Sequence, residues 1–258
     1  TPKERNFLRR VRVECGDALA AVPPERRYRD AYGDRRLLRF LRHYKTSDKA
    51  LGFVKRYLEW RRDNAVDDIR AELDANNDAL EGLAFGPRDW PFGQFVLDRF
   101  CILPCSTELF DVKGNALCVE QYGHWPADRL RDVTPETYVR WQLYCLEHKS
   151  MQLEKIAVAR ERALLAVAMT REEPPLQEGW GEIVRLCTVF DMTGLTFSHM
   201  LLPGGFKMVK QLIPLAQKYY PWLQDTTHLT NTSTTIYSFW HMLKPFLPAH
   251  TRRKIFIY

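Results

Sequence analysis

Between Ile236 and Leu247 run Tyr237, Phe239, Trp240, Met242, Leu243, Phe246 and Leu247, interrupted only by Ser238, His241, Lys244 and Pro245. A lone ammonium such as Lys244 in that company must snorkel to water or meet an anion, and a ligand phosphate would serve. A helix that is apolar nearly all round is either core or the cover of a cavity that an apolar ligand fills. The other residues with reactive side chains are dispersed. Cys101 and Cys105 stand four apart, but no second pair or histidine cluster follows at a zinc spacing, so they read as packed thiols. His124, His199 and His241 lie among aromatic or apolar neighbours and read as satisfied, partly buried imidazoles. A haem would need only one His or Tyr in an apolar cavity, and that alternative stays open. The chain has no G-x-S-x-G elbow, no G-x-x-x-x-G-K-[ST] phosphate cradle, no G-x-G-x-x-G and no H-E-x-x-H. The expectation is a binding protein without catalytic or metal-ligating residues.

The composition agrees with that reading. At 258 residues, with 45% hydrophobic and 27% charged residues, the chain is long enough to bury a large core and ordinary for a globular fold. Thirty-eight basic against 32 acidic residues leave +6, which suits anionic surfaces; Arg252, Arg253 and Lys254 form a basic triplet beside apolar residues. Six cysteines at irregular spacings point to a reducing compartment. No run approaches the roughly 20 apolar residues of a membrane span, and no apolar leader opens the chain. The expected setting is cytoplasmic. A first residue Thr1 and a last segment KIFIY lead to the expectation that the ends are trimmed.

The elements that must position these residues follow from periodicity. Phe7, Leu8, Val11, Cys15, Ala18 and Leu19 fall on one helical face that Pro23 and Pro24 end. A second helix starts after Asp34 with Leu37, Leu38, Leu41 and Tyr44 inward, and a third follows Thr46, Ser47 and Asp48, burying Ala50, Leu51, Val54 and Leu58. The first ninety residues read as helical overall, and beyond Asn64 the polar, Gly/Pro-containing sequence DANNDALEGLAFGPRDWPFG reads as a connection. Strand signals then alternate with helices: ALCVEQYG after the Asp111–Asn115 turn, a long helix opened by Thr134 and Pro135, EIVRLCTVFDMTG, a helix from about Phe197 to Tyr219, THLTNT, the Trp-containing helix, and KIFIY. That order builds a mostly parallel sheet. The fold expected is α/β, with a small helical lobe over residues 1–90 and a lobe over 91–258 holding a gated hydrophobic pocket.

The segment RRLLRFLRHYKTSDKALGFVKRYLEWRRDNAVDDI (Arg35 to Ile69) closely resembles the helical N-terminal region of the CRAL-TRIO lipid-binding family. DVKGNALCVEQYG is similar to the family's hairpin, CTVFDMTG to its central strand, and AQKYYP, FWHMLKPFL and KIFI follow in the family's order. The resemblance covers the chain from Arg35 to its end. It implies a pocket floored by the sheet and closed by a movable helix, here Thr234 to Leu247, with acyl chains or a prenoid inside. It implies a soluble monomer that exchanges one phospholipid or other hydrophobic molecule at anionic membranes and needs no cofactor or nucleic acid. A membrane-associated interaction or regulatory module that has lost exchange is the alternative.

In the branch of the family that transfers phosphatidylinositol and phosphatidylcholine, an Arg after RFLR, a Glu before YYP and the Lys of KPFL hold the inositol phosphate. Those positions read Tyr44, Gln211 and Lys244 here. The Ser-Cys-Thr that holds the choline-lipid phosphate reads Leu186, Cys187 and Thr188, and the hairpin tyrosine reads Cys118. A buried phosphate would miss the replaced hydroxyl by about 1 to 3 kcal/mol, so another lipid or a neutral hydrophobe is in view. The lipid-binding residues expected are Tyr44, Cys118, Leu186, Thr188, Phe190, Gln211, Tyr237, Trp240 and Lys244. Phe239, Phe246, Arg252, Arg253 and Lys254 are expected to dock on membranes. The stretch KIAVARERALLAVAMTREEPPLQEGW departs from the family pattern, as an extended helix or a partner surface.

Overall fold

The computed structural model describes residues 1–77, 94, 109–121, 133–170, 182–196, 199 and 205–258. Cys101, Cys105 and His124 lie outside these residues. Helix α1 (Pro2–Glu14) opens on a capping box, in which the Thr1 hydroxyl accepts from the Glu4 amide and the Glu4 carboxylate returns to the Thr1 backbone. It buries Phe7, Leu8 and Val11. Helix α2 (Gly16–Ala20), a 3₁₀ turn at Pro24–Arg26 and helix α3 (Arg29–Tyr32) lead into α4 (Asp34–Tyr44), which stops where Lys45 turns left-handed at φ 64°. Helix α5 (Ser47–Asp63) packs Ala50, Leu51, Val54, Tyr57 and Leu58 against the apolar faces of α1 and α4. Complete burial of each large apolar side chain contributes about 1.5–3 kcal/mol.

The polar sequence after Asn64 forms a further helix, α6 (Val66–Asn77), rather than a connection as far as Asn77. Val66, Ile69 and Leu73 are buried at helical spacing, and Asp67 and Asp68 suit the positive end of the helix dipole. Its Arg70 closes a buried fork on Asp30, at 2.8 and 3.0 Å.

Asp111 accepts from the amides of Lys113 and Asn115 at 2.8 Å each, and Gly114 takes φ 80°, which turns the chain into strand β1 (Ala116–Gln121). Thr134 caps helix α7 (Pro135–Thr170), accepting from the Thr137 amide at 3.2 Å. The stretch that departs from the family pattern is therefore helical from Lys155 to Thr170; residues 171–180 lie outside the described ones. Strand β2 (Leu186–Asp191), helix α8 (Gly205–Tyr219), strand β3 (Gln224–Thr230), helix α9 (Thr234–Leu243), a 3₁₀ turn (Lys244–Phe246), helix α10 (Ala249–Arg252) and strand β4 (Ile255–Ile257) complete the order. Among the described residues the sheet runs β1-β2-β3-β4 with every pairing parallel, as the sequence predicts.

Arginines of α4 tie the N-terminal helices to the rest of the fold. Arg35 forks Glu154 and reaches Glu161, both on α7, while Arg36 and Arg39 donate to the carbonyls of Tyr219, Trp222 and Val184. The RRLLRFLR pattern thus does structural duty, its leucines filling one core and its arginines bridging to the next.

Candidate functional site

Alternation along β2 sends Leu186, Thr188 and Phe190 to one face of the sheet. Their register partners Ala116, Cys118 and Glu120 share that face, as do Thr227 and Leu229 of β3. Leu186 and Cys118 are fully buried there beneath α7, among Trp141, Tyr144 and Leu153. Beside them Lys149 of α7 meets Glu120 at 2.5 Å. Burial opposes the Lys149 charge, but Cys118, Glu120 and Cys145 hold the ammonium well above its ordinary range. Burial pushes the Cys145 thiol up, so it remains protonated and inert.

Farther along the same face the packing opens into a cavity of about 320 Å³. Phe190, Thr227 and Ile255 form its sheet wall; Leu212, Ile213, Ala216 and Gln217 of α8 face them; Tyr220–Gln224 and Leu247–Lys254 supply much of the rest. His43 reaches in from α4 and Leu146 from α7. Thr188, itself buried, donates its hydroxyl to Gln224 Oε1 at 3.1 Å and so stands one hydrogen bond behind the wall. Such a cleft, mostly apolar with a few convergent polar groups, is the form of a small-molecule site.

Of the residues singled out by sequence, Phe190 and Lys254 line this cavity, and Thr188 supports it. Tyr44 does not line it: its ring stacks on Phe53 at 3.9 Å, and burial pushes its hydroxyl up to about 12. Gln211 is exposed on α8, and Lys244 is exposed in the 3₁₀ turn after α9. On α9 itself Ile236 is buried and Phe239 and Trp240 are half-buried, while Tyr237 is 53% exposed and Met242 59%; Phe246, just beyond, is 46% exposed. The basic triplet divides. Lys254 turns inward and donates to the Gln224 carbonyl at 3.0 Å, Arg253 is exposed and Arg252 half-buried. Burial lowers the Lys254 pKa, and Arg185 lowers it further.

Sequence reasoning missed His43, Gln217, Gln224 and His250, which also line the cavity. His43 follows the RFLR motif directly, and that adjacency was the one signal available. Among the described residues no group of three or more His, Cys, Asp or Glu is placed to hold a metal, and no helix is long and apolar enough to cross a membrane.

Helices pack on the parallel sheet, and a small-molecule cavity lies between them. The family model described as the CRAL/TRIO domain matches residues 104–258. The chain belongs to this family, which is known for lipid binding and transfer and whose members are generally not enzymes. It is similar to the Sec14 cytosolic factor of Schizosaccharomyces pombe (strain 972 / ATCC 24843), 24% identical over 232 residues, covering 89% of this chain and 68% of the relative. In fold it is similar to the protein solved as "Crystal structure of Sfh5", with a TM-score of 0.55 at 17% identity, covering 100% of this chain and 80% of that one.

Proposed function

We propose that this chain carries one hydrophobic molecule in the cavity between β2–β4 and α8 and exchanges it at membrane surfaces. The observation that carries this reading is the cavity itself, walled by Phe190, Leu212, Ile213, Leu247 and Ile255 on the sheet face that holds Leu186 and Thr188. Helix α9 is the moving element. Its Tyr237 and Met242, with Phe246, keep about half their area in water in a position that leads through Leu247 into the cavity wall. Exposed apolar patches of this kind mark interaction or membrane surfaces.

On an anionic bilayer Phe239 and Phe246 enter the interface while Arg252 and Arg253 meet the headgroups. Each basic residue near the surface contributes about 1 kcal/mol, enough to bias docking without anchoring. The protein acts as a monomer in the cytoplasm, and the cargo is its only bound group.

A transfer assay tests the reading. Donor vesicles holding a fluorescent lipid and a quencher are mixed with acceptor vesicles, and catalytic amounts of protein should accelerate dequenching, more so when phosphatidylserine is present. A rate equal to that of protein-free vesicles for phospholipid, fatty acid and prenoid probes alike would refute exchange and leave the interaction-module reading.

A further inference from the structure

The cavity wall nearest the helical lobe is rich in hydrogen-bond donors and contains no carboxylate. His43 of α4, Gln217 of α8, His250 and Thr251 of α10, and Lys254 all line it, with no Asp or Glu among the described lining residues. Gln224 is already satisfied, since its carbonyl accepts from Thr188 and its amide donates to the Thr226 carbonyl. The others are not. Among the described residues, nothing hydrogen-bonds the His43 ring, which meets His250 edge-on at 5.3 Å. Lys254 spends one of its three donors on the Gln224 carbonyl.

The charges facing this wall are mostly positive. Lys49 comes from α5 and Lys254 from the wall itself, while Arg185, from the segment before β2, is paired with Asp225 at 2.6 Å. Burial pushes His43 down to about 4, and His250, Lys254 and Lys49 each press in the same direction. The carboxylate that acts on Lys254 is Asp225, and it is otherwise engaged: Arg185 lies at 2.6 Å, the Asn115 amide at 3.0 Å and Lys113 at 3.5 Å. A concave, partly desolvated surface with convergent donors, and a lysine whose nearest carboxylate is shared with other partners, is complementary to an anion.

We infer that His43, His250, Thr251 and Lys254 form a headgroup site, so that the cargo is a single-chain amphiphile with an anionic head, a carboxylate or a phosphate monoester. This rests on the cavity being the lipid site. The volume bears on chain number: about 320 Å³ stands at the low end of the roughly 300–1,000 Å³ of small-molecule clefts, which suits one chain and a compact head better than two acyl chains. The head then sits at the α4 and α10 end, away from the exposed Lys244, while Phe190 and Ile213 contact the chain. An anion there favours a charged His43 and raises its pKa.

Calorimetric titrations with palmitate, 1-palmitoyl lysophosphatidate, neutral 1-palmitoylglycerol and inorganic phosphate, each lipid below its micelle concentration, separate the alternatives. Wild-type protein should bind one or both anionic amphiphiles about tenfold or more tighter than the neutral one, and inorganic phosphate far more weakly. Whether palmitate or lysophosphatidate leads identifies the head. Lys254→Met and His250→Gln should each cut anion binding severalfold and the neutral amphiphile's binding by clearly less; His250 is exposed, so its variant guards against a folding defect. Equal affinity for anionic and neutral amphiphiles, insensitivity to both variants, or phosphate binding as tight as lysophosphatidate would overturn the headgroup site. Failure of all three amphiphiles to bind would overturn the cavity reading as well.

Discussion

Arg61 is 1% exposed, yet its guanidinium is fully engaged: Glu147 receives two bonds at 2.9 and 3.0 Å, Asp67 accepts at 2.9 Å, and the Tyr57 hydroxyl lies at 3.1 Å. Tyr220, a cavity-wall residue, donates to the same Glu147. Burial pushes the Glu147 carboxyl up, and Arg61, Arg36 and Tyr220 outweigh it and hold it below the ordinary range. Arg61→Met strands that charge and should cost about 3–5 kcal/mol in urea unfolding at pH 7. Its deficit should shrink as pH falls and Glu147 takes a proton. His43 makes a second prediction. Its folded pKa, about 4, is below an unfolded value of about 6.5, so between those values the unfolded chain binds the extra proton. The stability His43 contributes is therefore present above about pH 6.5 and lost as pH falls toward 4. Wild type should lose more melting temperature between pH 7 and 4.5 than His43→Gln does; equal losses would assign the pH dependence elsewhere. At this scale the sequence was legible where position along a strand decides orientation, as for Thr188 and Phe190. It was not legible where partners come from distant elements: His43 meets His250 across the two lobes, and Tyr44 is claimed by Phe53 of the neighbouring helix.

Helix α4 starts at Gly33, whose φ of −71° suits any residue. The requirement there is space, because a Cβ on Gly33 would be driven into the carbonyl oxygen of Arg29, one turn back in α3. Gly33→Ala should cost about 1–3 kcal/mol as overpacking, read as a shift of the urea midpoint at unchanged slope; an unchanged midpoint would show that α3 yields freely. The strongly periodic helices α1, α4 and α5 were legible because a wide apolar stripe and clear caps mark them. Helix α6 escaped because Val66, Ile69 and Leu73 stand among acidic residues, and burial supplied by Tyr138 and Trp141 of α7 rewards a stripe that the sequence shows only faintly. The apolar character of α9 was plain, but sequence could not distinguish core from cover. Its Tyr237 and Met242 are exposed, so the helix is not core all round, and none of the described cavity-lining residues lies on it.

Across the whole molecule the N-terminal helices and α7 share one set of buried charges, with Arg35 on Glu154 and Glu161 and Arg61 on Glu147. The sheet, α7 and α8 form the frame of the cavity, and the segment from α9 to α10 meets it through Ile236, Leu247, His250 and Thr251 and the strands on either side. A segment more exposed than a frame stiffened by buried ion pairs can move without unfolding that frame. The parallel sheet order was legible from alternating strand and helix signals, whereas the cavity's polar wall was not, since four separate elements converge to make it. Native mass spectrometry of the protein after incubation with mixed liposomes tests the central claim most directly, with Ala216→Phe as the comparison because Ala216 faces the cavity from α8. One lipid-sized adduct per wild-type chain is expected, and its loss in Ala216→Phe at a nearly unchanged melting temperature. A wild-type spectrum without adduct, or an adduct that survives Ala216→Phe undiminished, would contradict that claim.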